Sequence, residues 1–237
     1  MNNQKSIFAP GPVSHLPVRP EAITNYNRTR RELEVFLIFA IVVAGKKSDT
    51  QAQKLKEFYA SRMLYGLDYL GLFDYIRELK FKGLLVDELK MVKMGQYIRI
   101  SNALSELVDK KFNLFECSLE DLVSVKGISL KTANFFLTHT RRRHKVPVLD
   151  THVLKFLKAQ GVENVPKSTP QVVKVYNFFA DKFIAIAKGL GMTVADLDLQ
   201  VWKQYSTSKI SLLVAGENLP IDSAASSITL MLYRSHT

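Results

Sequence analysis

Apolar residues recur at three-and-four spacing along most of this chain, the signature of amphipathic helices. Leu55, Phe58 and Tyr59 form one such face, and Leu72, Phe73, Ile76 and Leu79 another. Leu85, Leu89 and Val92 follow, then Tyr97, Ile100, Leu104 and Leu107. Ser118-x-x-Asp121 has the spacing of a capping box and opens a short helix ending near Val125. Ala133, Phe136 and Leu137 predict the next helix; Val153, Phe156 and Leu157 predict another. Thr169-Pro170 reads as an N-cap followed by proline at the first helical position, with Val172, Val175, Tyr176 and Phe179 as the apolar stripe. Thr193-x-x-Asp196 is a second capping-box candidate, heading a helix through Trp202. The β-branched run at 38–43 is the only competitor for a strand, and its length and charged approach at Arg30–Glu34 favour helix. Pro10, Pro12, Pro17 and Pro20 make the first segment an extended lead-in, and Ser206–Thr237 has weaker periodicity. The expected fold class is all-α.

Composition narrows the picture. A chain of 237 residues can hold one sizeable core or two smaller ones flanking a cleft. The longest apolar run, Val35–Ala44, is about half the roughly 20 residues a membrane span requires, so it predicts a buried core helix. No charged leader followed by an apolar core is apparent at the N-terminus, so no signal peptide and an intracellular setting are expected. The net charge of +11 favours a polyanionic partner, nucleic acid ahead of a membrane. Cys117 is the single cysteine, which excludes an internal disulfide, a multi-cysteine zinc site and a four-cysteine iron–sulfur cluster.

The chemistry concentrates in one stretch. Leu122-x-x-Val125-x-Gly127-Ile128-Ser129-x-Lys131-Thr132-Ala133 reads as helix, tight hairpin, helix. Backbone N–H groups exposed at the start of the second helix can hold a phosphate oxygen without reading sequence. A plain αα-hairpin has the same pattern. Lys131 lies just inside the second helix, and an uncharged amine there is a nucleophile toward an electron-poor carbon. Asp150 precedes Thr151-His152-Val153 as a candidate N-cap, which would fix its carboxylate for proton transfer or for stabilising a sugar cation. Taken singly, a surface lysine and a capping aspartate are the better readings of the two. Nineteen positions apart behind a hairpin, they form a constellation.

That constellation resembles the helix-hairpin-helix DNA glycosylase superfamily, with Lys131-Thr132-Ala133 and Leu149-Asp150-Thr151-His152 at its characteristic spacing. The resemblance implies two helical subdomains flanking a DNA-binding cleft: a central bundle, 31–148, and a second lobe from 1–30 plus 149–237. It implies Lys131 as the nucleophile that attacks the sugar C1′ of a flipped-out nucleotide and forms a Schiff base. Asp150 is its partner in base departure, and His152 contacts the DNA backbone. Gly127 and Ser129 belong to the phosphate-gripping hairpin. The retained lysine and missing cluster point to the 8-oxoguanine branch, whose compact microbial members are further resembled by Glu32–Leu55, "MGQYIRISNALSEL" and "MTVADLDLQVWKQYSTSK". The loop in the first of these carries Lys46 and Lys47, expected at the gap left by the flipped base.

Asp198 and Trp202 lie four residues apart, on one helix face. An indole can stack on an extruded purine and a carboxylate can accept its N–H groups; core packing beside Leu199 is the other reading of Trp202. By the resemblance the pair recognises the base. Two positions depart from the family hairpin: Ser129 replaces its second glycine and Lys126 the proline before its first. Arg141–Lys145 is the densest run of charge, either solvated surface or a DNA contact. The expected activity is removal of 8-oxoguanine from double-stranded DNA by a monomeric glycosylase/AP lyase, with no metal or organic cofactor. The same mechanism on another oxidised base, or a DNA-binding module without catalysis, are the alternatives.

Overall fold

The computed structural model describes Val18 and residues 23–206. Among these, ten α-helices and one 3₁₀ turn are present and no strand, so the chain is all-α. One compact unit ends at Trp202 and a second begins at Lys203. The proline-rich lead-in and all but the start of the C-terminal stretch lie outside the described residues.

Helix α1, Arg30–Val42, is the centre of the fold, and every residue from Leu33 to Val42 is buried. Its first turn is secured by a capping box in which Thr29 accepts from Glu32 N–H and Glu32 reaches back to Thr29 N–H. A helix apolar on all sides needs neighbours on all sides. α1 packs against α2 (Ser48–Ala60), α3 (Leu72–Phe81), α5 (Tyr97–Asp109) and α7 (Leu130–Thr140). Phe36 meets Phe135 and Phe136 of α7 at ring-centroid distances of 5.4 and 6.1 Å. α4 (Leu85–Met91) closes the bundle against α5 and α3. No described helix is long and apolar enough to cross a membrane.

α6 (Leu119–Val123) leads through the turn at 124–129 into α7. Both halves of the Ser118–Asp121 capping box are formed. α8 (Thr151–Ala159), α9 (Val173–Gly189) and α10 (Val194–Ser206) follow. Thr193 Oγ1 accepts from Asp196 N–H at 3.1 Å, as its spacing predicts.

One predicted start is wrong. Thr169-Pro170 does not open α9, whose N-cap is Val172, without a side-chain cap. The Thr169 hydroxyl donates to Leu149 O at 2.7 Å, a bond across 20 residues that ties this stretch to the residue before Asp150, and the helix begins only after it. Of the expected stripe, Tyr176 and Phe179 are buried, whereas Val172 and Val175 are exposed.

Candidate active site

The turn between α6 and α7 is shaped by its packing on α5. Gly127 has φ +97°, and a Cβ there would come within 3.1 Å of Ala103 Cβ. Glu106 accepts the Lys126 N–H at 2.9 Å, and Lys110 donates to Ser124 O at 2.9 Å. Ser129, in place of a glycine, is the N-cap of α7 and accepts from Thr132 N–H at 3.3 Å. Its hydroxyl therefore serves the helix that carries Lys131. Lys131 itself is half-buried in the first turn of α7.

From the end of α7 the chain returns through Arg141–Lys145 to a strap outside helix and sheet, Val146–Leu149, and Asp150. Asp150 is the N-cap of α8: Oδ1 accepts from His152 N–H at 2.8 Å and from Val153 N–H at 2.9 Å. The cap uses one oxygen and leaves the other for chemistry. Burial pushes the Asp150 carboxyl above the ordinary carboxylate range, and the Asp198 carboxylate pushes it the same way. Val153 N–H, His152 and Lys131 act against them. Lys131, His152 and Asp198 are thus all within electrostatic reach of Asp150. His152 sits, half-buried, in the first turn of α8.

Asp198 and Trp202 share α10, but not an environment. Trp202 is half-buried, whereas Asp198 is only 5% exposed. Asp198 Oδ1 accepts the Val148 N–H at 2.9 Å, and Oδ2 lies 3.4 Å from His139 Nε2 without hydrogen-bond geometry. Lys46 and Lys47 stand apart from this group. Lys46 donates to Met94 O at 2.7 Å and Gly95 O at 3.2 Å, and burial lowers its pKa, with Arg99 and Lys54 adding to the effect. Lys47 is exposed at the start of α2.

The arginine run divides. Arg141 turns inward to Leu114 O and Cys117 Sγ, and Arg142 lies over the Tyr26 ring at 5.1 Å. His144 Nε2 is 2.8 Å from Asn134 Oδ1. Burial, aided by the Arg141 charge, lowers the His144 pKa to about 4. Arg143 and Lys145 are exposed.

Sequence periodicity did not single out Tyr176, His139 or Asn134 as more than helix-face residues. Tyr176 OH donates to Pro147 O at 2.8 Å and accepts from Leu149 N–H at 3.1 Å. The available signals were a tyrosine where phenylalanine would pack as well, and polar residues on the buried side of α7.

One all-α unit thus carries a lysine in the first turn of α7 and, within reach of its charge, a buried aspartate that caps α8. At 23% sequence identity, the fold matches that of Tm1821, the 8-oxoguanine DNA glycosylase of Thermotoga maritima, with a TM-score of 0.56 over 78% of this chain and 85% of that one. In sequence the chain is 24% identical over 200 residues to an 8-oxoguanine DNA glycosylase/AP lyase of Fusobacterium nucleatum, covering 80% of this chain and 88% of the relative. It is 26% identical over 123 residues to a protein of the same name from Saccharolobus solfataricus, covering 52% of this chain and 58% of that one. No family model matches. The chain resembles the 8-oxoguanine branch of the glycosylases, the branch its motifs indicate.

Proposed function

We propose that this chain is a bifunctional DNA glycosylase/AP lyase that excises 8-oxoguanine from double-stranded DNA. The observation that carries this reading is the pairing of Lys131, in the first turn of α7, with Asp150, held by the α8 cap within the influence of the lysine charge. The names of the similar proteins support the same activity.

The Lys131 amine, once uncharged, attacks C1′ of the extruded nucleotide while the N-glycosidic bond breaks and the base leaves with the bonding pair. Asp150 accepts the proton released by the amine and stabilises positive charge developing on the sugar. Opening of the ring gives an imine between Lys131 and C1′. Loss of a C2′ proton then expels the 3′ phosphate by β-elimination, and water releases the lysine. A depressed carboxyl would stay ionised at every working pH; the upward shift from burial brings Asp150 closer to one that can exchange protons.

Trp202, half-buried on α10, offers a ring for stacking against the extruded base. The α6–α7 turn, Gly127 and Ser129 included, is the phosphate contact, with His152, Lys46 and Lys47 as further contacts to the DNA backbone. One copy supplies both Lys131 and Asp150, so a monomer inside the cell suffices, without metal or organic cofactor.

The test is borohydride trapping on duplexes carrying 8-oxoguanine or an oxidised pyrimidine. A covalent adduct with the 8-oxoguanine duplex that disappears in Lys131→Gln, while duplex binding persists, is expected. Trapping with the oxidised pyrimidine alone would redirect the specificity, and equal strand cleavage by Lys131→Gln would overturn the mechanism.

A further inference from the structure

The strap Val146–Leu149 belongs to no helix or sheet among the described residues. Its buried backbone groups must still find partners, and side chains from elsewhere supply them. Thr138 of α7 donates to Val146 O at 2.5 Å, and Thr169 donates to Leu149 O at 2.7 Å. Tyr176 of α9 holds Pro147 O and Leu149 N–H, and Asp198 of α10 holds the Val148 N–H between them. The next residue along is Asp150.

We propose that Tyr176 and Asp198 are positioning residues for Asp150: they grip Pro147, Val148 and Leu149 and so fix the backbone that carries its carboxylate toward Lys131. The proposal rests on the function proposed above and gives Asp198 a task on the Asp150 side of the site rather than toward the base.

Three features argue for it. Tyr176 is 1% exposed, so its hydroxyl must be partnered, and it meets the strap twice, at Pro147 O and Leu149 N–H. Phenylalanine would fill the same space and hold nothing. The Asp198 carboxylate is likewise inward-facing. One oxygen is on Val148 N–H and the other beside the wholly buried His139, whose Nδ1 is 2.8 Å from Thr24 Oγ1. Last, Asp198 is a second negative charge near Asp150. The groups facing Asp150 are Lys131 from α7, His152 from α8, Tyr176 from α9 and Asp198 from α10. Of these, the Asp198 charge favours a protonated Asp150 and so a more basic carboxylate.

The experiment compares Tyr176→Phe, Asp198→Asn and Asp198→Leu in single-turnover excision of 8-oxoguanine from a duplex, across pH, together with binding to the same duplex. Tyr176→Phe should slow excision roughly tenfold to a hundredfold, the scale of a misplaced catalytic group, with duplex affinity unchanged. Asparagine at 198 can still accept the Val148 N–H, so Asp198→Asn should be faster than Asp198→Leu. Having lost its charge, it should also move the acid limb of the pH–rate profile to lower pH. Wild-type rates in Tyr176→Phe and Asp198→Leu would overturn the proposal. So would an unmoved acid limb in Asp198→Asn with lost discrimination between 8-oxoguanine and guanine, which would assign Asp198 to the base. An NMR titration of the Asp150 side-chain carboxyl in the DNA-free protein separates this proposal from the function it rests on. If the wild type excises nothing, the functional reading fails, while a downward move of that titration in Asp198→Asn still supports the coupling and an unmoved one refutes it.

Discussion

Asp198 accepts the backbone N–H of Val148 at 2.9 Å, joining α10 to a point fifty residues upstream and two residues before Asp150. Both partners are buried, Asp198 at 5% exposure and Val148 at 5%. A buried N–H that loses its acceptor keeps its desolvation penalty, about 1–3 kcal/mol. Asp198→Leu should therefore lower the unfolding free energy by an amount in that range, measured by urea denaturation at neutral pH. Asp198→Asn preserves the acceptor and should lose less. Equal losses in the two variants would mean that the bond is not what Asp198 contributes.

Asp150 should be costly to the fold. Its folded-state carboxyl is raised from the ordinary 3.8, by burial first and by Asp198 second. The folded protein therefore holds this proton more tightly than the unfolded chain does. The stabilising share is complete below pH 3.8 and is lost as pH rises through the raised folded value. Asparagine caps a helix about as well as aspartate and carries no charge. Asp150→Asn should accordingly melt at a higher temperature than the wild type at pH 7, with the gap closing in acid, while excision is severely slowed. Lower stability at pH 7 would contradict the raised carboxyl.

His144 makes the opposite contribution to the acid stability. Its folded pKa is lowered from 6.5 to about 4, by burial first and by Arg141 second. Between those values the unfolded chain takes up a proton that the folded protein refuses. Stability from this group is complete above pH 6.5 and is lost as pH falls toward 4. Subtracting the unfolding free energy of His144→Gln from that of the wild type should give a difference that declines through this window. A flat difference would place a charged imidazole beside Asn134.

Much of this was legible along the chain, because helix faces and caps are local. The α1 run, the Ser118–Asp121 box and the spacing of Lys131 to Asp150 all follow from residues within a few turns or one loop of each other. What periodicity missed is non-local. Thr169 has the local chemistry of an N-cap, but α9 is capped three residues later at Val172, and the Thr169 hydroxyl is held by Leu149 O, 20 residues away. Tyr176 looked like one member of an apolar stripe, and only the fold reveals that its oxygen serves a strap with no neighbouring strand. Asp198 and Trp202 share a helix face by spacing, but spacing carries no information about which of them the rest of the fold covers. Thr29-x-x-Glu32, by contrast, is a local signal, a capping box with its spacing visible in the sequence.

Gly127 combines two demands that separate experimentally. Its φ of +97° disfavours any L side chain, and an added Cβ would meet Ala103 Cβ at 3.1 Å, closer than an ordinary contact. Gly127→Ala should destabilise the protein by on the order of 1–3 kcal/mol, the cost of holding a residue in a sparsely populated backbone region. Ala103→Gly alone weakens α5 by roughly 0.5–1 kcal/mol, as glycine does in a helix interior. The double variant removes the methyl-to-methyl contact but leaves the backbone strain. It should therefore be more stable than the sum of the two single losses, yet still below Ala103→Gly. Strict additivity would show that α5 yields to the new methyl and that φ alone demands glycine. A Gly127→Ala protein as stable as the wild type would refute both demands. Because this turn leads directly into the cap and first turn of α7, the same variant should also slow excision by displacing Lys131.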